Sequence, residues 1–370
     1  MSDFKTISGF RTQSLASDPS PLLEGQIFYN TATNVAKITI LETVTTNAWA
    51  SGGNLNTTRR SLGGAGTQTS ALAFGGTTPP FSAATEKYDG TNWTSVNSMN
   101  TARQDLAGAG TQTATLAFGG TNPPAAPFSA ATEKYDGTNW TSVNSMNTAR
   151  ELLAGAGTQT SSLAFGGSNP TVSAVTEKYD GTNWTSVNSM NTARRNLAGA
   201  GTQTSALAFG GSTPTNSAAT EKYDGTNWTS VNSMNTARDG LGGCGTQTSA
   251  LAFGGLTPPL TAATEKYDGT NWTSVNSMNT ARNFLAGAGT QTSALGFGGR
   301  IPPATYQAAT EKYNGTNWGS VNSMNTARMQ LGNAGTQTSA LGFGGNTGVG
   351  TNVTEEWTIP ATTTFTVTIS

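Results

Sequence analysis

The sequence predicts an all-β fold made of seven copies of one four-stranded unit, and three observations carry that prediction. A Gly-Gly doublet begins at Gly75, Gly119, Gly166, Gly210, Gly254, Gly298 and Gly344, at spacings of 44–47 residues. Tryptophan recurs in step at Trp49, Trp93, Trp140, Trp184, Trp228, Trp272 and Trp318. No stretch keeps a helical hydrophobic period over ten or more residues, whereas Thr, Val and aromatic side chains suit a pleated surface. Four strands per repeat, seven times over, describe a β-propeller rather than a two-layer solenoid.

Within one unit the strands read in order. LAGAGTQ from Leu106 is small and Gly-rich, as the crowded axis of a ring requires. TLAFGG from Thr115 alternates apolar and small side chains. ATEKY from Ala131 and NWTSVNSM from Asn139 flank a turn, YDGTNW, in which Asp-Gly supplies the positive φ of a tight hairpin. Trp49 precedes Trp93 by one period, so WASGGNLN is a fourth strand lacking its own first three. The last unit has strands one to three, from Leu331 to about Trp357, and then leaves the pattern. The N-terminal strand is therefore expected to complete the seventh blade and cover the open edges. The rival closing strand, TTFTVTIS, breaks the tryptophan register and is left to pair elsewhere, with the hairpin GQIFYNTATNVAKI as one partner. The expected organisation is an N-terminal arm and hairpin at 1–43, a propeller at 44–358, and a C-terminal strand at 359–370.

Composition narrows the function classes. The chain of 370 residues holds 46 glycines, only 11% charged residues and no histidine. Imidazole is the usual base near neutral pH and the commonest metal ligand, so His-dependent triads and His-ligated zinc, copper or haem are excluded. A net charge of −1 gives no footprint for nucleic acid or an anionic membrane. One cysteine, Cys244, cannot form an intrachain disulfide and is expected to be a small buried residue. No run approaches the length of a membrane span or a signal-peptide core, so a soluble protein without an export signal is expected. No cofactor and no metal site is expected. The Asp-Gly-Thr-Asn turns lack the ligand pattern of a calcium loop.

The doublet Gly75-Gly76, then Tyr88-Asp89, then Trp93 resembles the kelch repeat, over about residues 49–358. Its third strand departs from that pattern, because Glu86 and Lys87 stand where kelch repeats often carry apolar residues. Glu, Lys, Asp and Arg recur once per full blade, so a structural lattice is expected rather than a single asymmetric catalytic site. The in-register tryptophans are expected to pack between blades rather than to form a sugar-stacking ring.

Comparison of the seven copies locates what varies. GTQT, TEKYDGTNW and SVNSMNTAR are almost constant. Variation falls in the segment after Gly-Gly and in the pair after each Arg: Arg60-Ser61, Gln104-Asp105, Glu151-Leu152, Arg195-Asn196, Asp239-Gly240, Asn283-Phe284 and Met329-Gln330. In an antiparallel blade the second-to-third connection and the link to the next blade share one end, so both variable sites are expected to converge there. Loops on a rigid scaffold are a standard recognition surface. The candidate binding residues, expected to be exposed, are Phe81, Gln104, Phe128, Glu151, Arg195, Leu256, Leu260, Phe284, Arg300, Tyr306 and Met329; no catalytic residue is assigned.

The leader hairpin EGQIFYNTATNVAKI, the strand WASGGNLNTTR and repeats such as LAGAGTQTSALAFGG resemble bacteriophage virion proteins, tail fibres and marine-phage appendages among them. That resemblance implies a non-enzymatic structural component of the virion, assembled in the host cytoplasm. Its leader would dock on other virion proteins, and its variable face would meet a host surface glycan or protein. Membrane insertion and nucleic-acid binding are not implied. A propeller carbohydrate-active enzyme and a purely architectural spacer are the alternatives.

Overall fold

The computed structural model describes residues 6–7, 10–11, 13–19, 26–42, 48–122, 127–303, 305–359 and 363–369. The chain divides into two compact units, Ala48–Thr358 and a smaller one from Met1–Asn47 with Ile359–Ser370.

The larger unit is a seven-bladed β-propeller. Blade 1 runs outward through Gly63–Thr67, Ser70–Phe74, Thr85–Tyr88 and Trp93–Val96, all antiparallel. Blades 2 to 6 repeat this order. Blade 7 takes Gly332–Gly335, Ser339–Phe343 and Thr354–Thr358 from the C-terminal side and Ala48–Ser51 from the N-terminal side, with Trp49 opposite Trp357. The seam therefore closes with the strand that keeps the tryptophan register. Each innermost strand neighbours the next, and Gly332–Gly335 neighbours Gly63–Thr67.

Small residues at the axis are a packing requirement. A Cβ on Gly108 would lie 2.7 Å from Phe74 Cζ of the preceding blade, so that phenylalanine fills the space an alanine would need. Across each blade junction the tryptophan of one fourth strand tilts against the phenylalanine of the blade before it, with centroids 4.9–5.3 Å apart. Its indole N–H donates to a threonine of that same preceding blade at 2.8–2.9 Å. The tryptophans thus pack between blades, and hydrophobic clusters such as Leu72, Phe74, Met99, Ala117, Tyr135 and Trp140 span each junction.

Polar groups bind the same junctions. Seven buried Arg–Glu pairs, from Arg59–Glu86 to Arg328–Glu355, have N···O distances of 2.8–3.3 Å. Each arginine comes from the link between blades: the Arg103 carbonyl accepts from Gly76 of blade 1 while its side chain reaches Glu133 of blade 2. Glu133 in turn accepts the backbone N–H groups of Asn100 and Thr101, which satisfies both carboxylate oxygens. The glutamate of the third strand is therefore the anchor of the inter-blade link. Glutamines of the constant GTQT turns complete the lattice. Gln159 donates to the carbonyls of Thr115 and Tyr135 in the preceding blade, at 3.3 and 2.5 Å, and Gln68 spans the seam to Ala340 and Trp357.

In the smaller unit one sheet orders Gln13–Leu15, Ile27–Asn30, Val35–Glu42 and Thr363–Ile369, the first pair parallel and the others antiparallel. The C-terminal strand thus pairs with the leader hairpin. Lys37 bridges Asp18 at 2.7 Å, and Asn34 takes a φ of 56° in the hairpin turn.

Candidate functional site

The residue after each linking arginine pairs with the residue after the Gly-Gly doublet of its own blade: Arg60 with Thr77, Gln104 with Thr121, Glu151 with Ser168, Arg195 with Ser212, Asp239 with Leu256, Asn283 with Arg300 and Met329 with Asn346. Both variable segments are therefore held together at one end of the propeller. The doublet makes this approach possible, since a Cβ on Gly76 (φ 96°) would sit 2.7 Å from the Arg60 carbonyl oxygen.

The second residue of each variable pair has a backbone role that its side chain does not signal. Ser61, Asp105, Leu152, Asn196, Gly240, Phe284 and Gln330 all adopt the left-handed conformation, with φ of 51–55°. Each N–H donates to the carbonyl of its counterpart one blade back, at 2.8–3.4 Å, and Ser61 donates to Gln330. Seven backbone bonds close a ring around the axis. Leucine and phenylalanine rarely adopt this conformation and hold it only where surrounding structure compels them. Here the circular bond pattern compels them, so side chains can vary while the backbone stays fixed.

Charged side chains stand at this end on blades 1–6. Asp105, Glu151 and Asp239 lie with Arg60 and Arg195 on blades 1–5. Burial raises the Asp105 carboxyl, opposed by a hydrogen bond from Ser61 and the charge of Arg60. Burial also raises Glu151, helped by the neighbouring Asp105 charge and opposed by Arg195. Asp239 is raised by burial against the pull of Arg195. On blades 5 and 6, Leu256, Pro259 and Leu260 face Ile301 and Pro302 across an apolar groove of about 500 Å³. The Arg300 guanidinium lies 5.5 Å from the centre of the Phe284 ring.

Gln104, Glu151, Arg195, Leu256, Arg300 and Met329 belong to the paired ladder, Phe284 to the ring, and Phe81, Leu260 and Tyr306 to the far arms of the loops. Phe128 stands beside Ser129, which bonds back to Gly120. Only Arg195 of these is exposed, and Phe81, Phe128, Leu256, Leu260, Phe284 and Tyr306 are half-buried. Met329 is a correction: it is 7% exposed, because the ladder with Asn346 folds it inward. The large apolar side chain that does stand out among the described residues is Val349, in the blade 7 loop. Asp105, Asp239, Gln330 and Asn333 join the candidates at this end: the first three belong to the variable pairs, and Asn333 differs from the glycine at the same position of the other innermost strands. Cys244 is half-buried at the axis rather than enclosed; its Sγ donates to the Thr290 carbonyl, and burial pushes its thiol up to about 12, which leaves it a poor nucleophile. Among the described residues no three His, Cys, Asp or Glu side chains gather as a metal ion would require.

These features define a seven-bladed β-propeller with a constant end and a variable end. Comparison with protein-family models and with curated proteins finds no match. Among solved structures the chain is similar to the one described as "Structure of YjhT", with a TM-score of 0.54 and 11% identity, covering 70% of this chain and 96% of that one. At that identity the likeness speaks to the fold.

Proposed function

We propose that this chain is a non-enzymatic recognition propeller of a bacteriophage particle, of kelch type, which presents its variable end to a host envelope component or another virion protein. The observation that carries the reading is the ladder: fourteen positions that differ among near-identical repeats are held at one end on a common backbone. Fixed geometry beneath varied chemistry is what a recognition surface needs. The leader, with its resemblance to virion segments, is the proposed dock on the particle. Purified protein applied to host cells and to a glycan panel tests the reading, with Phe81→Ser and Tyr306→Ser as variants. Binding that both variants weaken supports it; binding that neither alters removes it.

One observation favours a second reading. Asp105 and Glu151 sit on adjacent blades with carboxyls raised by burial, and a raised carboxyl is what a general acid requires in glycoside hydrolysis. Release of reducing ends from a host polysaccharide, abolished by Glu151→Gln, would replace the binding reading with a hydrolytic one.

A further inference from the structure

The hydrogen-bonded ring frames an axial well, and on the side of blades 4–7 a cavity of about 380 Å³ opens into it. Asn196, Phe284, Gln330 and Asn333 line it above glycine backbone, and no charged side chain does. Its volume lies within the range of about 300–1,000 Å³ usual for small-molecule sites. Asn333 is where the repeat breaks. The same position of the other six innermost strands is glycine: Gly64, Gly108, Gly155, Gly199, Gly243 and Gly287. Asn333 Nδ2 donates to the Gly287 carbonyl at 3.0 Å, which fixes the amide and leaves Oδ1 to accept.

We propose that this well is a subsite for one neutral sugar residue of a polysaccharide. Amides both donate and accept, as hydroxyl groups do, and a phenyl ring offers an apolar face to the C–H side of a pyranose. No charged side chain lines the cavity, and the Arg300 guanidinium stands outside the lining, 5.5 Å from the centre of the Phe284 ring, so neutral hydroxyl chemistry suits the lining better than a carboxylate or a phosphate. The inference rests on the reading of the variable end as a recognition surface and names its ligand class.

The test titrates the full chain with D-glucose, D-galactose, D-mannose and N-acetylglucosamine by saturation-transfer NMR, with D-glucuronate as the acidic control. Asn333→Gly and Gln330→Ser each install a residue that another blade already carries at that position, so folding is preserved. The expected result is binding of at least one neutral sugar, weakened about tenfold by either variant, the scale of one or two lost ligand hydrogen bonds. Binding unchanged in both variants, preference for glucuronate, or no sugar binding overturns the proposal. Host-cell binding separates the two readings. If Phe81→Ser and Tyr306→Ser abolish it while the well variants leave it intact, the subsite falls and the variable end stands; if no variant affects it, both fall.

Discussion

At the constant end, Asp89, Asp136, Asp180, Asp224 and Asp268 each accept two backbone N–H groups of their own hairpin, and those bonds hold every carboxyl below its ordinary value. At the variable end, Asp105, Glu151 and Asp239 are raised by burial. One repeat thus produces carboxylates of opposite character, because the first set is served by residues two and three positions away and the second by whatever the neighbouring blades supply. The constant end is local chemistry repeated. The variable end is a collective arrangement in which each residue's environment belongs to other copies.

The sharpest way to test this contrast is to break the lattice that both ends depend on. Arg150→Met should destabilise the propeller by about 3–5 kcal/mol in urea unfolding, since it leaves Glu177 buried without its partner. A cost below that of an ordinary surface change would show that the pairs only decorate the junctions. Their Nε atoms have no partner among the described residues, which fits a lattice that fixes register at some expense of stability.

Gln159→Ala removes the donor to two carbonyls of the preceding blade and should cost about 1–3 kcal/mol, the desolvation penalty of unpaired groups. The equivalent loss at the seam, Gln68→Ala, should be similar if the seam is an ordinary junction. A larger loss there would mark closure as the weak point.

The carboxylates predict opposite pH responses. For the constant-end aspartates the folded state holds protons less tightly than the unfolded chain, so their contribution is present above the ordinary carboxylate range and is lost as pH falls through the depressed values. For Asp105, Glu151 and Asp239 the folded state holds protons more tightly. Their contribution is fullest in acid and declines as pH rises from the ordinary carboxylate range through the raised values. Carboxyl-carbon NMR titration should separate the two groups, and Asp105→Asn should make the protein more stable at neutral pH; a loss there would mean that its bond with Ser61 outweighs burial. The smallest effect is expected at Arg195→Met, within about 0.5 kcal/mol in stability because the side chain is exposed. A larger loss would make the charged arc part of the scaffold.

Much of the fold was legible because each element is specified locally. Asp-Gly turns, the doublet and the tryptophan register place four strands in every repeat, and the register of Trp49 alone names the strand that closes blade 7. The two-stranded ribbons at Ser168–Asn169 with Thr171–Val172 and at Arg300–Ile301 with Thr305–Tyr306 were not legible, because their loops share no repeated pattern. Of the candidate site, the sequence indicated which end would vary. It did not indicate that Met329 would turn inward, that the apolar loop residues would be half-covered, or that Asn333 would stand in the wall of a well.

Residues a few positions apart, or one period apart, specify the seven-fold count, the strand order, the closing strand and the end at which variation gathers. The ring of left-handed residues, the partial burial of Asp105, Glu151 and Asp239 and the shape of the axial well exist only once the blades are packed together. Those properties arise when side chains and carbonyls about 44 residues apart are brought together across blade junctions, and a single repeat carries no record of what its neighbour will present to it.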